Sequence, residues 1–229
     1  MSSAFKRVVA SIGIGMALML TQAPATAGPG DVDKSGAAWW QWVLSIPVDE
    51  NPLLDTTGEK CMVGQRGGVW YLAGTFGDPT ATRDCTVPAG TAFFVPVINS
   101  VNFDSPNVCG LPPDHVPVSD LRAAVAPFID GATNLSVTVD GVAVNNMRRI
   151  KSGVFAVTLP DDNLFDAPCA GAGGVPPGVY SPAIDDGYYA QVNALSAGPH
   201  VIVIHAESPS FGFTLDVTYN LDVVATINH

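Results

Sequence analysis

The sequence is poor in charge, and above all in positive charge. Only 14% of its 229 residues are charged, and 10 Lys and Arg stand against 21 Asp and Glu, for a formal net charge of −11. Nucleic acids and anionic membrane surfaces repel such a chain, so neither is expected as a partner. Hydrophobic residues make up 47% of the sequence, which argues against intrinsic disorder.

Residues and motifs of several enzyme classes are scarce. The chain has four histidines, no His-Glu-x-x-His motif, no Gly-x-Ser-x-Gly elbow and no phosphate-binding loop. His200 and His205 are five residues apart on one predicted strand, so they point to opposite faces and do not chelate one metal there. A Ser-His-Asp triad built from distant residues stays open, but nothing in the sequence points to one. None of these motifs therefore marks a catalytic residue.

The only long apolar run follows a short basic start. Val8–Leu20 is a largely apolar run of 13 residues, shorter than the roughly 20 that a membrane-spanning helix needs. Ala25-Thr26-Ala27 has the small-x-small form of a signal-peptidase site. We therefore expect residues 1–27 to be a signal peptide and residues 28–229 to be a single β-sandwich domain. The protein is expected to be secreted or periplasmic, with no membrane insertion after cleavage.

The cysteines of that domain predict disulfide bonds. They are Cys61, Cys85, Cys109 and Cys169. An even number in an exported chain predicts two disulfides, whereas no pair has the close spacing of a structural zinc site. Three pairings of the four cysteines are possible. Bonding between cysteines that are close in sequence favours Cys61 with Cys85, which leaves Cys109 for Cys169.

Alternating hydrophobicity predicts strands over much of the chain. Between Phe211 and Val223 the odd positions are apolar and the even ones small or polar, which predicts a long strand with one buried face. Its length leads us to expect a bend or bulge partway. Asp140-Gly141 between two alternating runs predicts a tight hairpin. Val201–Ile204 is apolar at odd and even positions alike, which predicts a central strand covered on both faces. Further strands are expected at 69–75, 91–98, 153–159 and 188–195.

These elements predict an all-β fold. We expect a two-sheet antiparallel β-sandwich, of jelly-roll or immunoglobulin-like type, with one or two short helices. One helix is expected around Trp39–Ile46 and another after a Ser119 cap, while residues 161–186 are expected to form a loop.

The run Trp39-Trp40-Gln41-Trp42 is the most unusual local feature. As a binding site, Trp39, Trp40 and Trp42 would stack on sugar rings, with Asp55 as a polar partner close by in the sequence. Neighbouring side chains on a helix point about 100° apart, however. Packing of Trp39 and Trp42 against a sheet is therefore the favoured alternative.

Acidic groups supply the candidates for metal binding and acid–base chemistry. The densest set of oxygen ligands is Asp161, Asp162, Asn163 and Asp166, the candidate calcium site. It lacks the glycine and the distal glutamate of an EF-hand, and a solvated turn is the alternative. Asp55, Asp162 and Asp185 are the candidate acids or bases of a hydrolase.

Several segments carry a resemblance to known sequences. They are Trp39–Trp42, Asn51–Gly58 with Cys61, Gly68–Gly74, the Cys-Thr-Val-Pro-Ala-Gly stretch from Cys85, and Phe213–Tyr219. Together they resemble a widespread, uncharacterised family of exported bacterial proteins with no known activity. The resemblance covers most of residues 28–229. It implies export and a shared fold, and it carries over no catalytic residue.

The expected function follows from fold and composition rather than from a motif. We expect a secreted, disulfide-bonded binding protein for a glycan or a cell-surface polymer. One alternative is a secreted hydrolase that uses Asp or Glu carboxylates. The other is an extracellular structural or assembly protein, compatible with a homo-oligomer, whose long strand pairs with neighbours. Calcium is the one cofactor for which the sequence offers a candidate site.

Overall fold

The computed structural model describes residues 29–225, with side chains from Gly36 onward. The predicted signal peptide lies outside the described residues. The helices are α1 (Pro29–Leu44) and α2 (Val118–Asp130), and short 3-10 turns occur at Val48–Glu50, Ala170–Ala172 and Pro209–Phe211. The strands are β1 (Val69–Tyr71), β2 (Thr80–Pro88), β3 (Ala92–Phe103), β4 (Thr133–Val139), β5 (Val142–Ala143), β6 (Arg148–Lys151), β7 (Phe155–Leu159), β8 (Gly178–Val192), β9 (Gly198–Ser208) and β10 (Phe213–Val224).

The strands form two five-stranded sheets. The first has the order β1-β3-β8-β6, with β7 also paired to β8, and the second has the order β2-β10-β9-β4-β5. The predicted all-β, two-sheet sandwich is confirmed. The sheets are mixed rather than purely antiparallel, because β1 runs parallel to β3 and β2 runs parallel to β10. Each parallel pair adds an edge strand, and a short hairpin cannot connect such a pair.

Both faces of the first sheet are buried, which gives the molecule three layers. Side chains of both sheets fill the space between them, including Phe93, Val95, Ile204, Leu215 and Val217. On the other face, α1 and the long loops cover a second cluster, including Trp39, Val43, Phe94, Leu164 and Tyr189. Alternate residues of β3 therefore enter two different cores.

The bulge predicted for the longest alternating segment occurs in another strand. β10 keeps one register with both β9 and β2, so it contains no bulge. The register of β3 against β8 shifts instead between Pro96 and Ile98, and Val97 and Ile98 both face the core between the sheets. Because of this extra residue, the side chains that follow it point to the opposite face of the sheet from the one that strict alternation would give. Asn99 therefore lies on the side of α1.

Several strand predictions need correction in extent or exposure. β2 and β6 were not predicted, and β8 begins at Gly178, inside the expected loop. β9 is central, but Val201 and Val203 on its outer face are exposed, so only one face is covered. The predicted hairpin at Asp140-Gly141 joins β4 to β5, with positive φ at both residues, and is confirmed.

The helices also differ from expectation in where they begin. α1 starts ten residues before Trp39, at Pro29, and ends before Pro47 as expected. α2 begins at Val118 with Pro117 at its cap position. Ser119 is not the cap, because its hydroxyl donates to the carboxylate of Asp120 instead of to the helix end.

Two disulfides are present, in the pairing that closeness in sequence favoured. Cys61 is bonded to Cys85 and Cys109 to Cys169, with Cα–Cα distances of 5.9 and 5.1 Å. Such bonds persist in oxidising environments outside the cytoplasm. Within residues 29–225, no helix has the length and apolar character needed to cross a membrane.

A buried guanidinium holds two loops against the second sheet. Arg83 of β2 is 1% exposed and donates to the carbonyl oxygens of Asp55 at 2.7 Å, Gly74 at 2.8 Å and Ala73. It also donates to the hydroxyl of Tyr219, its register partner on β10, and lies 5.2 Å from the centre of that ring. Arg83 makes no ion pair with any residue that the structure describes. Carbonyl dipoles and a hydroxyl therefore compensate its charge.

We predict that Arg83→Met lowers the free energy of unfolding by about 3 kcal/mol or more, because several buried acceptors lose their donor at once. Arg148→Met, at an exposed position of β6, is the matched control and should change stability by less than about 0.5 kcal/mol. Urea unfolding of the two variants and the parent measures both values. Equal effects of the two substitutions would contradict a structural role for the buried guanidinium.

Candidate functional site

An apolar cavity of about 240 Å³ lies where α1, β3, β10 and α2 approach one another. Its lining residues are Trp39, Trp40, Leu44, Leu53, Gly74, Thr75, Phe76, Pro96, Val97, Ile98, Asn99, Ser100, Val101, Phe128, Leu164, Phe165, Phe213 and Leu215. Apart from the indoles, the only polar side chains among them are Thr75, Asn99 and Ser100. A cavity with an apolar wall and few polar groups is typical of a small-molecule site.

Asn99 reaches this wall because of the bulge in β3 and a glycine on β8. Its register partner is Gly187, where an added Cβ would lie 2.5 Å from the Cβ of Asn99. Only glycine at that position leaves room for the amide. The Nδ2 atom of Asn99 is buried and makes no hydrogen bond of good geometry among the described residues, although the amide lies close enough to the Tyr189 hydroxyl to lower the pKa of that group. A poorly paired buried donor costs free energy, and because this atom is closed to water it lies behind the cavity wall rather than on it.

A buried carboxyl group lies behind Trp40. The Oδ1 atom of Asp185 accepts hydrogen bonds from Trp40 Nε1 at 2.8 Å and from the Tyr189 hydroxyl at 2.6 Å. Its Oδ2 atom has no hydrogen-bond partner in the part of the chain that the structure describes. Oδ2 faces α1, where a Cβ at Gly36 would lie 2.6 Å from it. Glycine at position 36 is therefore what allows the helix to close over this carboxyl group.

Burial changes the proton affinity of this cluster. It raises the pKa of Asp185 to about 7, against the opposing hydrogen bonds from Tyr189 and Trp40, and the charge of Asp186 adds to the rise. Burial, followed by the charge of Asp185, raises the pKa of Tyr189 well above its ordinary value. Asp185 does not itself line the cavity, and Trp40 is the residue that touches both. The carboxyl group therefore influences the cavity through the indole.

We predict that Asp185 makes the protein less stable as the pH rises from about 4 to 7. Below pH 3.8, its ordinary pKa, the carboxyl group is protonated in both states and costs nothing. Between 3.8 and about 7 the unfolded chain loses the proton while the folded chain keeps it, which destabilises the fold by on the order of 4 kcal/mol at pH 8. Asp185→Asn should therefore gain stability relative to the parent as the pH is raised.

Urea unfolding at pH 4, 5.5, 7 and 8 tests this, with Asp162→Asn as the exposed control. A difference between Asp185→Asn and the parent that stays constant across these pH values would show that the pKa of Asp185 is the same in the folded and the unfolded chain.

The three tryptophans of the predicted binding run are buried. Trp39 is 1% exposed, and Trp40 and Trp42 are each 9% exposed. The rings of Trp39 and Trp40 stand at 82° to each other, so they do not form one flat exposed platform. The indole nitrogens of Trp39 and Trp42 donate to the carbonyl oxygens of Leu72 and Val63. The structure thus places these residues in the core, and Trp39 and Trp40 also line the cavity.

Asp55 lies away from the cavity and organises a turn. Its Oδ1 atom accepts from the backbone N–H groups of Thr57 and Gly58, each at 2.9 Å, and its Oδ2 atom accepts from that of Lys60 at 2.9 Å. Burial would raise the pKa of Asp55, but the donors of Lys60, Thr57 and Gly58 outweigh it and lower that pKa. Such a carboxylate stays ionised and suits neither the general-acid role nor sugar contact beside the tryptophans.

The loop proposed for calcium uses its oxygens internally. The carboxylate of Asp166 accepts from the backbone N–H groups of Asn163 at 2.9 Å and Val175 at 2.7 Å, while the side-chain oxygen of Asn163 accepts from Phe165. Asp161 and Asp162 are exposed. Over residues 29–225, no group of three or more His, Cys, Asp or Glu could hold a metal ion. The described residues therefore give no support for the predicted calcium site, because Asp166 and Asn163 stabilise their own loop.

A second, more open depression of about 590 Å³ lies beside the opposite end of the tryptophan run. Its lining residues are Gln41, Trp42, Ser45, Ile46, Pro47, Glu50, Val63, Gly64, Arg66 and Tyr71. The ring centres of Trp42 and Tyr71 are 5.3 Å apart. Exposed polar and charged groups, among them Gln41, Glu50 and Arg66, surround this aromatic pair. We call this depression the Trp42 groove.

Comparison with known proteins finds no matching family model, no matching curated protein and no matching solved structure. The function is therefore inferred from the geometry of the sites. The resemblance to an exported bacterial family stays a prediction.

Most residues of the cavity were not predicted. Asn99, Phe76 and Phe165 come together only through the bulge in β3 and the packing of distant loops. The available signal was Asn99 itself, a polar residue directly after the apolar run Phe93–Ile98. Asp185 was predicted as a candidate acid, and the structure gives it the buried environment that such a group needs.

Proposed function

We propose that this protein binds a small ligand in the apolar cavity. The ligand has an apolar body and a single hydrogen-bond acceptor. The observation that carries the proposal is the enclosed, nearly apolar wall of the cavity, on which Thr75, Asn99 and Ser100 are the polar side chains besides the two indoles. A rotation of the Asn99 side chain would turn its Nδ2 donor toward an acceptor on the ligand, and that hydrogen bond would recover the free energy that the burial of the amide costs.

The size of the cavity limits the ligand. Its volume of about 240 Å³ falls below the roughly 300–1,000 Å³ of sites for drug-sized molecules, whereas an engineered cavity of about 150 Å³ binds benzene. A monocyclic aromatic or a short acyl chain fits this range. A sugar carries hydroxyl groups around its whole ring, and Thr75, Asn99 and Ser100 offer too few partners for them.

We predict that acetophenone binds the cavity more tightly than ethylbenzene, by about 5-fold, because only acetophenone has an acceptor for Asn99. The two probes share the same size and ring. Titration should quench the fluorescence of Trp39 and Trp40 and raise the melting temperature. Asn99→Leu should remove the preference for acetophenone.

Filling the cavity provides a second test of the same proposal. Val101→Phe should abolish binding of both probes, while Val179→Phe, at an exposed position outside the cavity, should leave binding intact. Absence of binding by the parent at millimolar concentrations of both probes would overturn the proposal.

The Trp42 groove supports a second candidate function, binding of a glycan or cell-surface polymer. Aromatic rings beside exposed polar groups are suited to sugars, whose rings have apolar faces and hydroxyl edges, and the Trp42 and Tyr71 rings are tilted by 41° to each other. The specific observation is the pairing of Trp42 and Tyr71 next to Glu50 and Arg66.

We predict that immobilised polysaccharides retain the mature protein and that Glu50→Ala together with Arg66→Ala weakens retention by about 10-fold. Both side chains are exposed, so the fold should persist. Asp49→Ala, an exposed neighbour outside the groove, is the matched control. Equal retention of the double variant and the control would exclude the groove as the site.

A further inference from the structure

Three residues from separate segments meet at the surface beside the β4–β5 hairpin. His200 Nδ1 lies 2.7 Å from Oδ2 of Asp140, and His200 Nε2 lies 3.1 Å from the hydroxyl oxygen of Ser196. Asp140 is in the hairpin turn, His200 is on β9, and Ser196 is in the loop between β8 and β9. The arrangement places a carboxylate on one ring nitrogen and a hydroxyl on the other.

This order of contacts is the one that nucleophilic catalysis by serine requires. The carboxylate orients the imidazole through Nδ1 and stabilises it when protonated, which leaves Nε2 to take the proton of the hydroxyl. Such a set is recognised by geometry and roles rather than by sequence order. Neither the Gly-x-Ser-x-Gly motif nor any other sequence pattern marks it here.

The carboxylate is itself held in place. Oδ1 of Asp140 accepts from the backbone N–H of Val201 at 2.8 Å, and the backbone N–H of Asp140 donates to the carbonyl of Val201 at 2.8 Å. Its positive φ is set by the tight turn with Gly141. The side chain of His200 is only 13% exposed, so the ring is fixed as well. Ser196 is exposed and open to solvent.

We propose that Ser196, His200 and Asp140 form an acyl-transfer site that hydrolyses esters. Because the hydroxyl lies at the surface, the site suits an ester group carried on a large molecule or polymer, which could not enter an enclosed pocket. It is separate from the apolar cavity and from the Trp42 groove, since none of its three residues lines either one.

The reaction balances without a cofactor. The Ser196 oxygen forms a bond to the ester carbonyl carbon while its proton moves to His200 Nε2. The ester C–O bond then breaks, and the departing alkoxide takes that proton and leaves as an alcohol. Water next attacks the acyl-serine, gives a proton to Nε2, and releases the carboxylic acid as the proton returns to the Ser196 oxygen.

The charge state of His200 decides when the hydroxyl is activated. Nε2 also lies 3.0 Å from the carbonyl oxygen of Ser196, a contact that only the protonated ring makes as a donor. Three groups surround the His200 ring. Asp140 of the hairpin is charged, whereas the Ser196 carbonyl of the loop and Leu221, the register partner on β10, are not. The hydrogen bond to Asp140 raises the pKa of His200 above its ordinary value, so activity should rise with pH as the ring loses its proton.

The test uses the mature, oxidised protein with a fluorophosphonate probe and p-nitrophenyl acetate. We expect the probe to label one serine, which peptide mass spectrometry places at Ser196, and we expect acetate release to follow a sigmoidal pH profile. Ser196→Ala should abolish labelling and lower the rate by at least about 100-fold. Asp140→Asn should lower the rate while keeping the Val201 contact.

The controls separate catalysis from folding. His205→Gln is the control on the same strand. The Nδ1 atom of His205 lies 2.7 Å from the Asp216 carboxylate, but its Nε2 atom lies beside Glu207 rather than beside a serine, so labelling should persist. The labelled serine is identified in the parent protein, so the test gives a result even if a variant fails to fold. An unlabelled parent, or a label on any other serine, would overturn it, and binding of acetophenone would be unaffected in either case.

Discussion

The guanidinium of Arg83 is the constraint on which the cavity depends. It donates to the carbonyl oxygens of Asp55, Ala73 and Gly74, which lie in two separate loops. Gly74 lies directly before Thr75 and Phe76, which form part of the cavity wall. Since a buried charge needs nearly all of its donors satisfied, the loops have little freedom to move without an energetic penalty. The wall is therefore preorganised by a residue that does not touch the cavity.

The polar groups near the cavity reduce stability rather than increase it. Oδ2 of Asp185 and Nδ2 of Asn99 are buried without partners, and glycines at 36 and 187 are needed to make room for them. An apolar residue at either polar position would avoid the penalty of an unsatisfied group. Local sequence choices that oppose stability tend to coincide with functional sites. The presence of two destabilising polar groups beside the cavity supports its role as a binding site more strongly than the cavity volume alone does.

What the sequence could predict was set by the range of the interactions involved. Strand alternation, the Asp140-Gly141 turn and the even number of cysteines depend on local spacing, and each was confirmed. The parallel pairing of β2 with β10 brings Arg83 to Tyr219 across 136 residues, and no local pattern encodes it. The bulge at Val97 reverses which residues of β3 face α1, so a period-two pattern assigns Asn99 to the wrong face. Likewise, Asp140 reaches His200 across 60 residues.

Trp40 determines whether the buried carboxyl group and the cavity act together. A ligand that fills the cavity without moving the indole leaves both hydrogen bonds to Asp185 in place, and its affinity is then independent of the proton on that group. A ligand that draws the indole away removes a donor that stabilises the carboxylate, so the pKa of Asp185 rises in the complex. By linkage, binding then takes up a proton and tightens as the pH falls. The pH dependence of ligand binding therefore shows whether the Trp40 indole keeps its hydrogen bond to Asp185 in the complex.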